Sequence, residues 1–229
     1  MSPMQIEEVL VPPPKEAEAV VVKVRAEFDI PRIREGAEDE VYTGYEFEQL
    51  VVGYNSSNNN WEEYIASKQG KPKIDLWKCF ELSVKEAIDK DNTNKGLAER
   101  YPIVFAPYLF NEVFANLDVP QRQKANLRMY AVVNTPFDYE YGTDLVFVFD
   151  RSVCTIDLTI SPQEKKKLAR TGHFVFTNYQ LSQRQTTAFA KKIAEALIKD
   201  RQHLVLPKEV RTSIQKHARH HKRYKRPKP

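Results

Sequence analysis

Two carboxylates stand where carboxylates are expensive to keep. Asp144 and Asp157 each belong to one of the two apolar runs in YGTDLVFVFDRSVCTIDLTIS, residues 141–161. Side chains alternate across a strand with period two. In the second run Cys154, Ile156, Leu158 and Ile160 form one face, while Val153, Thr155, Asp157 and Thr159 form the other. In the first run Leu145, Phe147 and Phe149 share a face, and Asp144 sides with Val146 and Val148. A tight turn over residues 149–152 would pair residue 148 with 153 and set Asp144 opposite Asp157, and another turn length would make them diagonal neighbours about 7–8 Å apart. Carboxylates so placed repel unless a proton or a cation joins them. A hard divalent cation such as Mg²⁺ or Mn²⁺ takes a few carboxylates plus water, and works against a phosphate substrate.

Other elements must hold that hairpin in place. Asp75–Asp89 (DLWKCFELSVKEAID) carries Leu76, Cys79, Phe80, Val84, Ala87 and Ile88 on one helical stripe. Pro107 opens a helix through PYLFNEVFANLD, and Pro120 closes it. Strands are expected at Leu127–Val133, at 144–149, at 153–160 and at His173–Asn178, with a polar-aromatic loop ahead of Gly142. Ser161–Arg170 suits a short helix, and Ser182–Lys199 a long one with Phe189, Ile193, Ala196 and Leu197 on its apolar face. Earlier in the chain, Ala19–Phe28 alternates like a strand. Residues 45–68 suit one or two helices broken by NSSNNN.

The chain has 229 residues, of which 41% are apolar, with 12 Phe and 11 Tyr. That is enough for a sizeable core and excludes a disordered chain. No stretch is long and apolar enough for a membrane span. The opening MSPMQIEEVLVPPPK has acids and prolines where a secretion signal needs a basic start and an apolar centre. These features predict an intracellular protein, cytoplasmic or nuclear. Cys79 and Cys154 lack metal or redox spacing and are expected as buried thiols. The formal net charge is +4, unevenly spread. Residues 216–229, KHARHHKRYKRPKP, hold seven Lys or Arg and no acid, which leaves the remaining chain net acidic. Residues 35–48 form an opposing block of six acids. The expected organisation is a flexible lead (1–18), a mainly helical portion (19–100), an α/β core (101–206) and a basic tail (207–229).

The element order, with Gly-Thr-Asp and then, after twelve intervening residues, Asp-Leu-Thr, resembles the core of the PD-(D/E)xK nuclease superfamily over about residues 107–199. The resemblance implies a restriction-endonuclease-like α/β core, a central mixed sheet flanked by helices. It also implies Mg²⁺- or Mn²⁺-dependent phosphodiester cleavage. Asp144 takes the place of the first Asp, Asp157 that of the (D/E), and Glu112 that of the glutamate from a helix ahead of the core. All three would be catalytic metal ligands. Thr159 occupies the place of the motif lysine, which helps polarise the attacking water, and threonine carries no charge. Lys165, Lys166, Lys167 and Lys191 are substitutes.

Nucleic acid is the expected partner, DNA before RNA, and a second copy of the chain is another candidate. Gln183, Arg184 and Lys191 on the last core helix would meet phosphates, as would Lys216, Arg219, Lys222, Arg223, Lys225 and Arg226 in the tail. The alternative function is a non-catalytic nucleic-acid-binding or assembly protein on a degenerate nuclease core. His217 and His221 have the i, i+4 spacing of a metal pair, but no nearby acid or cysteine completes a site. Tyr224 lacks the partners of a recombinase nucleophile. No Gly-rich phosphate cradle or Gly-x-Ser-x-Gly elbow is present.

Overall fold

Leu145–Phe149 (LVFVF) is apolar on both sides, so a strand built from it must be covered twice. The computed structural model covers it twice. It describes residues 44–53, 64, 67–68, 72, 74–100, 104–159, 174–176, 183–199 and 204–224. The helices are α1 (Gly44–Val52), α2 (Leu76–Asp89), α3 (Asn94–Arg100), α4 (Phe105–Asn116), α5 (Gln121–Lys124), α6 (Pro136–Tyr141), α7 (Gln183–Lys199) and α8 (Lys208–Tyr224). The strands are β1 (Leu127–Ala131), β2 (Leu145–Phe149), β3 (Ser152–Leu158) and β4 (Phe174–Phe176). The strand expected at 19–28 and the helix expected at 161–170 lie outside the described residues. Among the described residues no helix is long and apolar enough to cross a membrane.

The four strands lie side by side in sequence order. β1–β2 and β2–β3 are antiparallel and β3–β4 is parallel, so β2 alone runs against the others. This is a mixed sheet with helices on both faces, an α/β architecture. Val148 pairs with Val153 and Phe149 with Ser152, the register that a tight turn at Asp150–Arg151 requires. Asp150 takes the left-handed conformation there, at φ 53°, which a short polar side chain tolerates.

One face of the sheet carries Met129, Leu145, Phe147, Cys154, Ile156 and Phe176, packed under α1, α4 and α7. Phe176 is the junction of that layer. Its ring stacks on Phe47 of α1 at 6.1 Å and meets Phe105 of α4 and Phe189 of α7, each at 5.1 Å. Each such fully buried ring is worth roughly 2–3 kcal/mol of transfer free energy. The other face, with Val146, Val148 and Val153, packs under α2, α6 and α8.

On that second face α2 starts at Asp75, whose carboxylate caps the N–H groups of Trp77 and Lys78 at 3.0 and 3.1 Å. A sharp turn follows, with Asp91 at φ 56°. α3 then returns so closely that a Cβ on Gly96 would sit 2.0 Å from the Asp91 carbonyl oxygen. Backbone cannot give way as a flexible side chain can. Gly96→Ala is therefore expected to lower unfolding free energy by about 2–3 kcal/mol, read as a shift of the urea midpoint. An unchanged midpoint would mean that the turn is not packed this tightly.

Residues 204–206 lie along the hairpin turn. Val153 N–H donates to Leu204 O at 3.1 Å, and Leu206 N–H donates to Arg151 O at 2.7 Å. From there α8 crosses α2, with Ile214 buried and Ser213 Oγ donating to Glu81 Oε1 at 2.6 Å. Thus seventeen residues of the basic tail, Lys208–Tyr224, form a helix docked on the body.

Candidate active site

Asp144 is locked one residue ahead of β2 by three backbone groups. Its N–H donates to Ile156 O at 3.0 Å, and its carbonyl accepts from Val132 N–H at 2.7 Å. Its Oδ2 accepts from Leu158 N–H at 2.7 Å. It is only 3% exposed. Extending the β2–β3 register by one step sets Asp144 across from Asp157, as the alternation predicts. Asp157 is half-buried and pairs with Val175 of β4 in register.

Two further carboxylates bear electrostatically on Asp144, one of them from an element expected as loop. Asp138 lies on α6, in the stretch expected as loop. Pro136 at the helix start and left-handed Gly142 at its end (φ 62°) fit a short helix. Phe137 fixes that helix to α2: its N–H donates to Ser83 Oγ at 2.9 Å, and its ring meets Phe80 edge-on at 5.6 Å. Asp138 Oδ2 in turn accepts from Asn134 N–H at 2.8 Å. Glu48 lies on α1, beside the Phe47 that stacks on Phe176. In the sequence Glu48 is one of the six acids of the block at residues 35–48. The signal for it was its place among Phe47, Val51 and Val52, all fully buried.

Asp138, Asp157 and Glu48 all act electrostatically on Asp144, and Glu48 and Asp157 act on Asp138 as well. Burial drives the Asp144 carboxyl well above the usual carboxylate range, and the charges of Asp138, Asp157 and Glu48 push it further; the Leu158 N–H pulls the other way. Burial likewise pushes Asp138 up to about 7, opposed by the Asn134 N–H and assisted by Glu48 and Asp157. Such a group of hard oxygen donors, drawn from α1, α6, the start of β2 and the end of β3, attracts either protons or a hard cation. As the side chains stand, no three His, Cys, Asp or Glu among the described residues are placed to hold a metal ion.

Glu112 is elsewhere. It lies on α4, where its Oε2 accepts from Thr187 Oγ1 of α7 at 2.8 Å, and it is not among the charges that shift Asp144 or Asp138. Thr159 is buried, with its N–H donating to Phe176 O at 3.0 Å. Lys165, Lys166 and Lys167 lie outside the described residues. Gln183, Arg184 and Lys191 are exposed on α7, which covers one face of the sheet. Lys216, Arg219 and Lys222 are exposed on α8, which covers the other. The two basic sets are therefore on opposite sides of the sheet. Arg223 is within α8, while Lys225 and Arg226 lie outside the described residues. No protein-family model, curated protein or solved structure matches this chain.

Proposed function

We propose that the chain is a metal-dependent nuclease of the PD-(D/E)xK type, with Asp144, Asp157 and Glu48 as its metal ligands. The observation that carries this reading is the convergence of charge on Asp144 from three separate elements. A fold does not place mutually repelling carboxylates in a dry site for stability, because each raises the cost of the others. The position of both aspartates on one hairpin supports the resemblance. So does a glutamate on a helix ahead of the sheet, with Glu48 taking the role that the sequence assigned to Glu112.

Mg²⁺ or Mn²⁺ in this group would activate water and neutralise charge developing on a phosphodiester. The chain's own contribution is preorganisation. The Leu158 N–H fixes the orientation of the Asp144 carboxylate, and the β2–β3 register fixes its distance from Asp157. Asp138 keeps a proton close to neutral pH and so lessens the repulsion when the site is empty.

The test is cleavage of supercoiled plasmid and labelled oligonucleotides with Mg²⁺ or Mn²⁺. Nucleic-acid binding by the wild type without any cutting would instead favour the second reading, a non-catalytic binding protein. The specific observation behind that reading is the uncharged, buried Thr159 in the place of the motif lysine. In both readings α8 supplies a cationic ridge. Replacing Lys216, Arg219 and Lys222 by Gln is expected to weaken binding of a random duplex and to flatten its salt dependence. The log–log slope should fall by about 0.9 per cation that meets a phosphate. A slope unchanged in a salt titration would remove α8 from the interface.

A further inference from the structure

The i, i+4 pair His217 and His221 lacks acidic neighbours in the sequence, and the fold supplies two. His217 Nε2 lies 2.7 Å from Asp89 Oδ1, at the end of α2. His221 Nδ1 lies 3.4 Å from the same oxygen, and His221 Nε2 lies 3.8 Å from Asp91 Oδ1. We propose that Asp89, Asp91, His217 and His221 form a second divalent-cation site, suited to Zn²⁺, that clasps α8 to the end of α2.

Three observations carry this assignment. The first is donor chemistry. Two imidazoles and two carboxylates favour Zn²⁺ and discriminate against Mg²⁺, which prefers oxygen ligands and water. Their charges also balance a divalent ion. The second is spacing. Ligands about 2.0–2.1 Å from a tetrahedral zinc stand roughly 3.3–3.5 Å from one another. His221 Nε2 and Asp91 Oδ1, at 3.8 Å, stand a few tenths of an ångström wider than that. The 2.7 Å pair is closed by a hydrogen bond, and its proton is what an ion would displace. His217 and Asp89 thus stand bonded to each other, the four groups do not stand around a common point, and loading the site would turn these side chains toward one. The third is an orphaned atom: His221 Nε2 is buried and makes no hydrogen bond. A buried imidazole nitrogen aimed at a carboxylate beyond hydrogen-bond reach is where a cation fits. With Nε2 on the metal, Nδ1–H faces Asp89 and sets the ring orientation.

The turn that carries Asp91 is rigid enough to serve. Its left-handed backbone is held by Gly96 packing beneath it and by Arg100 Nη2, which donates to Asp91 O at 3.0 Å.

The experiment is a Zn²⁺ titration of the full chain against a competing chromophoric chelator, in excess Mg²⁺, with melting followed in parallel. One tightly bound Zn²⁺ per chain is expected. Tm should rise by about 5 °C at saturating Zn²⁺, and Co²⁺ should give the intense visible bands of a tetrahedral site. His221→Gln and Asp89→Asn should each weaken Zn²⁺ by about 100-fold. Asp89→Asn keeps a hydrogen-bond acceptor for His217, so loss of fold cannot explain its effect. Asp157→Asn should leave Zn²⁺ binding intact, which separates this site from the proposed nuclease centre. Zinc binding that ignores both His221→Gln and Asp89→Asn, or that disappears in Asp157→Asn alone, overturns the assignment.

Discussion

Asp144→Asn and Asp157→Asn are each expected to slow Mg²⁺-dependent cleavage by about a thousandfold, and Glu48→Gln should fall with them. Each substitution removes one negative charge and little volume. Asn at 144 can still accept the Leu158 N–H that Asp144 Oδ2 accepts in the wild type, so the hairpin should survive. Circular dichroism and melting would check that it does. The informative comparison is between the two glutamates. Glu48 acts on Asp144 and Asp138, whereas Glu112 is engaged with Thr187 on another part of the fold. Glu112→Gln should therefore leave the cleavage rate close to wild type. If Glu112→Gln abolished cleavage while Glu48→Gln did not, the ligand set proposed above would be wrong. Activity surviving both aspartate substitutions would place the chemistry elsewhere in the chain.

The second large effect is on stability. Without divalent cations the protein should become less stable as pH rises from about 4 to about 7. Asp138 is raised from 3.8 to about 7 in the folded protein. Between those values the folded state holds a proton that the unfolded chain has released. Stability therefore falls as pH rises through this window, and it levels off once the folded carboxyl has ionised. A shift of about three pH units corresponds to a loss on the order of 4 kcal/mol. Asp144 is shifted in the same direction and deepens the loss. Metal binds the ionised carboxylates, so millimolar Mg²⁺ should restore stability most at neutral and alkaline pH. Urea midpoints between about pH 5 and about pH 8, with EDTA and with Mg²⁺, would show this. Asp138→Asn should flatten the EDTA curve. Stability that climbs with pH in EDTA would refute the placement of these carboxylates in one dry site.

The hairpin was legible because its information is local. Strict alternation in 144–149 and 153–160 assigned the faces, and the tight turn assigned the register. The partners of Asp144 were less legible, for separate reasons. Asp138 lies on a helix of six residues, PFDYEY, too short to show a period, although Pro136 and Gly142 marked its ends. Glu48 stands in the sequence as one acid of a charge block, because its neighbour Phe47 finds its partner in Phe176, far along the chain. Glu112 occupies the expected place in the element order, but α4 presents it to α7. Helical periodicity identified the buried stripe of α4 and carried no information on which helix would cover its flank. The His217–Asp89 contact spans 128 positions, and no local pattern announces a pair so separated.

That separation also governs the order in which the molecule can assemble. During synthesis the first face of the sheet is complete once α7 has emerged, because α1, α4 and α7 all precede residue 200. The second face is completed by the clamp at 204–206 and by Ile214, which bring α8 down on α2. A nascent chain paused before that point would display one finished layer and a second layer covered by α2 and α6 but still lacking α8. Such an intermediate invites strand pairing with other chains or capture by a chaperone. Docking of a strongly basic helix as one of the closing events would thus couple completion of the fold to the appearance of its cationic surface.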